Sequence, residues 1–125
     1  MGGITMKKII LVLILFLAMS SPVFAAFGSK GVIPGADPVE YRGLKITSEG
    51  VNIVIVNRSE NKVTFSAACV FVGQNNKNLG DFFIEKITLE PLGHIQLTKL
   101  YLKGDVKLSR KAEYLRWTVY TLEEK

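Results

Sequence analysis

Ten residues limit the fold of this chain more than any others. From Val63 to Val72 the sequence reads VTFSAACVFV, so that Val63, Phe65, Ala67, Cys69 and Phe71 alternate with Thr64, Ser66, Ala68, Val70 and Val72. Successive side chains of extended backbone point to opposite faces, which puts the first set on one side of a strand. That side holds both phenylalanines and is therefore expected to face a core. The following run Gly73 to Asn78, GQNNKN, is rich in residues that tolerate positive φ, and it reverses the chain into an extended segment from Leu79 to Glu90. The pair predicts a β-hairpin.

The rest of the chain carries related signals. Leu44-Lys45-Ile46 and Val51 to Val56 are β-branched runs separated by Ser48-Glu49-Gly50, a turn sequence. Asn57 to Asn61 is a polar turn, and Pro91-Leu92-Gly93 makes a further reversal before a strand over Ile95 to Leu102, with Ile95, Leu97 and Lys99 on one face. Gly104-Asp105 favours a turn, and Ser109 followed by Arg110 to Glu113 predicts one helical turn capped by Ser109. Tyr114 to Leu122 returns to period two, with Leu115, Trp117 and Val119 opposite Tyr114, Arg116, Thr118 and Tyr120, and Glu123 to Lys125 is expected to fray. Six or seven short strands, turn signals about every ten residues and no amphipathic helix of ordinary length predict an all-β chain. The expected architecture is an immunoglobulin-like antiparallel β-sandwich, with a small open barrel as the alternative.

The first residues address the compartment. Lys7 and Lys8 precede an apolar run from Ile9 to Met19, and Ser20, Ser21 and Pro22 lead to Val23-Phe24-Ala25, the layout of a signal peptide cleaved before Ala26. Retained instead, the 19 residues Ile9 to Phe27 would approach the length of a membrane anchor. The organisation expected is a signal peptide over residues 1–25, a flexible Gly-, Ser- and Pro-containing leader over 26–38, and a sandwich over 39–125. Such a chain is exported, to the periplasm or the extracellular space, and the signal segment has a bacterial character. Cleavage removes Lys7 and Lys8 and leaves a formal charge of +3 on 100 residues, enough for one domain. Basic residues are concentrated at Lys99, Lys103, Lys107, Arg110 and Lys111, with Asp105 the one acid among them. The cluster lacks interleaved aromatics and the chain is expected outside the cytoplasm, so nucleic acid is not an expected partner.

One resemblance bears on this reading. Val54-Ile55-Val56-Asn57-Arg58-Ser59, then an apolar strand, an Asn-rich hairpin and Ile87-Thr88-Leu89-Glu90-Pro91-Leu92-Gly93 follow in an order that resembles the extracytoplasmic immunoglobulin-like modules of bacteria called FxLYD-type domains. It spans about residues 51–102, and the Phe-x-Leu-Tyr-Asp string itself does not occur. Ser109 to Trp117 is similar to the corner entering the penultimate strand of immunoglobulin-like domains, with Tyr114 at the corner position. The resemblance implies a module that binds or spaces other components, without catalytic residues.

The residues themselves supply few catalytic options. Cys69 is the single cysteine, placed among core-facing positions, so it can form no internal disulfide and is expected to pack as a small apolar group. His94 is the single histidine and lies in a turn, which leaves a zinc site or a nucleophile–histidine pair without partners. Asp81 and Glu85 are expected on a solvated face, no Gly-rich phosphate loop enters a helix, and Asn57-Arg58-Ser59 is read as turn chemistry although it satisfies the glycosylation sequon. No enzyme activity, cofactor or metal is expected. The residues put forward for contact with a partner are Tyr114, Arg116 and Tyr120 on one strand face, which a covering sheet would turn into core, and the basic Lys103, Lys107, Arg110 and Lys111. The partner expected is a protein or a cell-envelope component. The alternative is a membrane-tethered envelope protein, with the anchor uncleaved and the Lys99 to Lys111 cluster facing anionic lipid.

Overall fold

The structure is a computed structural model that describes residues 27–125; the expected signal segment and its cleavage site lie outside the described residues. Eight strands form two antiparallel sheets: β1 (Gly31–Val32), β2 (Val39–Thr47), β3 (Gly50–Asn57) and β6 (His94–Leu100) pair in the order β1-β2-β3-β6, and β4 (Val63–Val72), β5 (Asn78–Leu89), β7 (Lys103–Gly104) and β8 (Tyr114–Glu124) in the order β7-β5-β4-β8. A single helical turn, α1 (Val106–Ser109), joins β7 to β8. The two sheets make a β-sandwich, whose strand number exceeds the expected six or seven because β1 and β7 are two-residue ladders too short to show a period.

Alternation places the core as expected on β4. Val63, Phe65, Ala67, Cys69 and Phe71 are each 0% exposed, and they meet Ile53 and Ile55 of β3, Phe82 and Ile84 of β5, and Tyr41 and Ile46 of β2 in one buried cluster. Trp117 of β8 closes the cluster edge-on to Phe82, 6.0 Å between ring centroids, and leans on Tyr41 at 5.5 Å. The hairpin between β4 and β5 turns on Asn75 and Asn76, with φ of 57° and 58°. Asparagine is among the few side chains that accept this region readily.

Four expectations are corrected. The leader is not free of the sandwich: Ile33 and Ala36 are buried, β1 pairs with β2, and Phe27 stacks on Phe71 at 5.4 Å. Phe27, Ile33 and Ala36 pack on or in the core while Val32 stays exposed, a division that composition alone does not reveal. The helical turn begins earlier, because Asp105 rather than Ser109 is its cap, accepting from the Leu108 N–H at 2.9 Å. Ser109 is buried at the end of that turn, where its hydroxyl donates to the Leu79 carbonyl at 3.0 Å. The C-terminal tail continues β8, since Glu123 and Glu124 pair with Thr64 and Val63 and the Lys125 N–H donates to the Lys62 carbonyl at 2.9 Å. On β6 the alternation breaks at Lys99, whose φ of 55° and N–H bond to the Asn52 side chain turn Leu100 rather than Lys99 toward the core.

Candidate functional site

The turn after β3 shows why Asn57-Arg58-Ser59 holds the fold. Asn57 is 1% exposed, and its amide donates to the carbonyls of Asn61 at 2.7 Å and Glu90 at 3.1 Å, while its oxygen accepts from the N–H and the hydroxyl of Ser59, both at 3.0 Å. Every polar position of the side chain is used. The sequon asparagine therefore has no free amide in the folded chain.

Cys69 faces the core, and burial raises its thiol above the ordinary cysteine range; Tyr41 is raised as well, by burial first and then by the neighbouring Cys69. His94 stands exposed opposite Val56 on the outer side of the other sheet, so the single histidine and the single cysteine do not meet. Among the described residues no group of three His, Cys, Asp or Glu is placed to hold a metal ion. Asp81 accepts from the Asn78 side chain at 3.2 Å, on the solvent side of β5.

The outer face of the β7-β5-β4-β8 sheet gathers the aromatic and basic side chains. Register puts Lys103, Asp81, Val70 and Arg116 in one row across the four strands. The next row sets Phe83, Ala68 and Thr118 side by side. Tyr120, two residues on from Thr118, points out on the same face, and a bulge between Val119 and Thr121 then sets Thr121 opposite Ser66. Phe83 and Tyr120 stack across β4 at 5.9 Å with an interplanar angle of 54°, over the small side chains of Ser66 and Ala68. They are 48% and 64% exposed, and no second sheet among the described residues covers them. Tyr114 is on the same face, its hydroxyl donating to the Asn76 side chain of the hairpin turn rather than closing a corner within its own segment.

Of the residues put forward from sequence, Tyr114, Arg116, Tyr120 and Lys103 thus share one face. Lys107 and Lys111 are exposed on and just after α1, beyond the end of the sheet. Arg110 is turned away, because its Nε–H donates to the Ile46 carbonyl of β2 at 3.0 Å and clips α1 to the opposite sheet. Phe83 was not among the candidates. Its outward position follows from the register with Ala68, and the alternation of Phe82 with Phe83 was the signal available. Beside it, a groove of about 600 Å³ runs between β5 and β6, lined by Phe83, Ile87, Leu97, Tyr101, Lys86 and Lys103 among others. The facing edges of this groove are both bulged, β5 between Ile84 and Ile87 and β6 at Lys99. Bulges interrupt the regular row of backbone donors and acceptors that an added strand needs. The face accordingly offers side chains more than backbone.

Compared with known proteins, the chain matches no family model, no curated protein and no solved structure. No helix among the described residues is long and apolar enough to cross a membrane.

Proposed function

We propose that this chain is an exported, non-enzymatic β-sandwich module that holds a protein or cell-envelope component on the outer face of its β7-β5-β4-β8 sheet. The observation that carries the reading is the solvent-facing Phe83–Tyr120 stack, flanked by Arg116 and Lys103 in the adjoining row. Among the described residues, five of the seven large apolar side chains that are exposed, Phe83, Tyr101, Leu108, Tyr114 and Tyr120, belong to this sheet or its connections. Aromatic rings in solvent contribute little to folding, whereas aromatic and arginine side chains dominate the centres of binding surfaces.

The immunoglobulin-like reading is supported by connectivity. β2 and β3 form a hairpin beside β6, the chain crosses from β3 to β4 between sheets, and β8 returns beside β4, the arrangement of the A, B, E and C, F strands in such domains, with β5 in the place of an added C′ strand. The resemblance to FxLYD-type modules points the same way. Export is supported by the layout of residues 1–25.

The test uses the protein from its native host. N-terminal sequencing is expected to begin at Ala26, and a Met1 start in the membrane fraction would favour the tethered alternative. The binding face is tested by immobilising the wild type and an F83S/Y120S variant and comparing what each retains from an envelope extract, with circular dichroism confirming equal folding. A component held by the first and released by the second is the expected result. Identical retention by both would remove this face from the proposal.

A further inference from the structure

A second concavity, of about 520 Å³, lies on the outer side of the other sheet, where β1, β2 and β3 meet, and is lined by Lys30, Val32, Glu40, Arg42, Val56 and Arg58 with Gly31 and Tyr41. These residues are far apart in sequence, and register assembles them. Val32 lies opposite Glu40, and Glu40 opposite Val56. One step back from the Gly31–Tyr41 pair brings Lys30 level with Arg42. Lys30, just before β1, and Arg42 are both exposed and both line the concavity. The ion pairs among the described residues, Lys62 with Glu90 and Lys99 with Glu49, involve none of the three cations.

Their backbone is nonetheless held firmly. The Tyr41 hydroxyl donates to the Gly28 carbonyl at 3.1 Å and the Leu44 N–H to the Ser29 carbonyl at 2.9 Å, which fixes the approach to Lys30; the Arg58 N–H donates to the Pro38 carbonyl at 3.1 Å. Three cations against the one carboxylate of Glu40 leave two formal positive charges around a small pocket with Val32 and Val56 in it. Two guanidinium groups supply forked donors suited to tetrahedral or planar oxyanions, and the excess charge matches a phosphate monoester, which carries about −1.5 to −2 at pH 7.

We propose that Lys30, Arg42 and Arg58 form a site for a phosphate group, free or presented on a lipid headgroup. The site is separate from the aromatic face, on the opposite sheet, and stands or falls independently of it. Glu40 is the one acid in the pocket.

The experiment titrates the purified, isotope-labelled full chain at low ionic strength with inorganic phosphate, and in parallel with chloride at matched ionic strength, following backbone and arginine side-chain N–H signals. Saturable shifts at Lys30, Arg42 and Arg58 with phosphate alone are expected, with affinity at least about tenfold weaker in an R42Q/R58Q variant. An R42K/R58K variant keeps the charge but not the forks, and is expected to bind between the two. Vesicles containing phosphatidic acid, whose headgroup is a phosphate monoester, or only phosphatidylcholine then separate the sources: retention on the anionic vesicles that is lost in R42Q/R58Q assigns the phosphate to a lipid, and phosphate binding without retention assigns it to a soluble ligand. Shifts of equal size with chloride, shifts undiminished in R42Q/R58Q, or no saturation would each overturn the site.

Discussion

Two buried side chains set the residue-scale behaviour of this molecule. Asn57 ties three segments together through four hydrogen bonds, and Asn57→Ala removes all four, although the Glu90 carbonyl keeps the Gly93 N–H and the Asn61 carbonyl the Ser59 hydroxyl. A made hydrogen bond contributes about 0.5–1.5 kcal/mol net, so a loss of about 2–4 kcal/mol in denaturant unfolding is expected from the four together. An Asn57→Asp variant is expected to lose nearly as much, since a carboxylate cannot donate to either carbonyl. Cys69 acts through pH. Its folded-state thiol is raised above the ordinary value of 9.0 by burial, so the unfolded chain releases a proton that the folded chain keeps. Stability therefore falls as pH rises past about 9, with a limiting slope of about 1.4 kcal/mol per pH unit for this group. Urea unfolding followed between about pH 8 and 10 in wild type and Cys69→Ala checks this, the variant being expected to show the flatter dependence. A wild-type profile as flat as that of the variant would refute the assignment.

At the scale of elements, β7 is the most delicately placed. Gly104 has φ of 137° and crosses β5 so closely that a Cβ there would come within 2.6 Å of the Gly80 Cα and 2.7 Å of the Leu79 carbonyl oxygen. Gly104→Ala is expected to detach the β7 ladder and, with it, the Lys103 end of the basic row, at a loss of more than about 1 kcal/mol. Hydrogen exchange at Gly80 and Asp81 would report the detachment, and unchanged protection there would count against it. Asp105→Ala removes the cap of α1 and is expected to cost about 1 kcal/mol. The bulges in β5, β6 and β8 have a different consequence: these exposed strands resist edge-to-edge association.

The whole molecule depends on the segment before β2. Phe27 covers Phe71, and Ile33 and Ala36 complete the core between the sheets. A chain beginning at Val39 is expected to unfold at a clearly lower temperature, since fully burying one large apolar side chain contributes about 1.5–3 kcal/mol. Calorimetry on the two lengths measures it, and equal midpoints would show that the segment only rests on the surface. Such a truncation would also remove Lys30 and abolish the proposed phosphate site without touching the aromatic face.

The longer strands and most of their inward faces were legible in the chain, because alternation along extended backbone is a local property that Val63 to Val72 displays without reference to any other segment. The sequence also marked the Asn-rich hairpin, through residues that tolerate positive φ. Only the tertiary structure decided which strands became neighbours and in what register. That pairing brought Phe83 to Tyr120, set Lys30 beside Arg42, turned Arg110 toward Ile46 and drew Phe27, Ile33 and Ala36 into the core. The physical reason is that contact between distant segments depends on ladder register, bulges and the closing of one sheet over the other, none of which leaves a period in the chain.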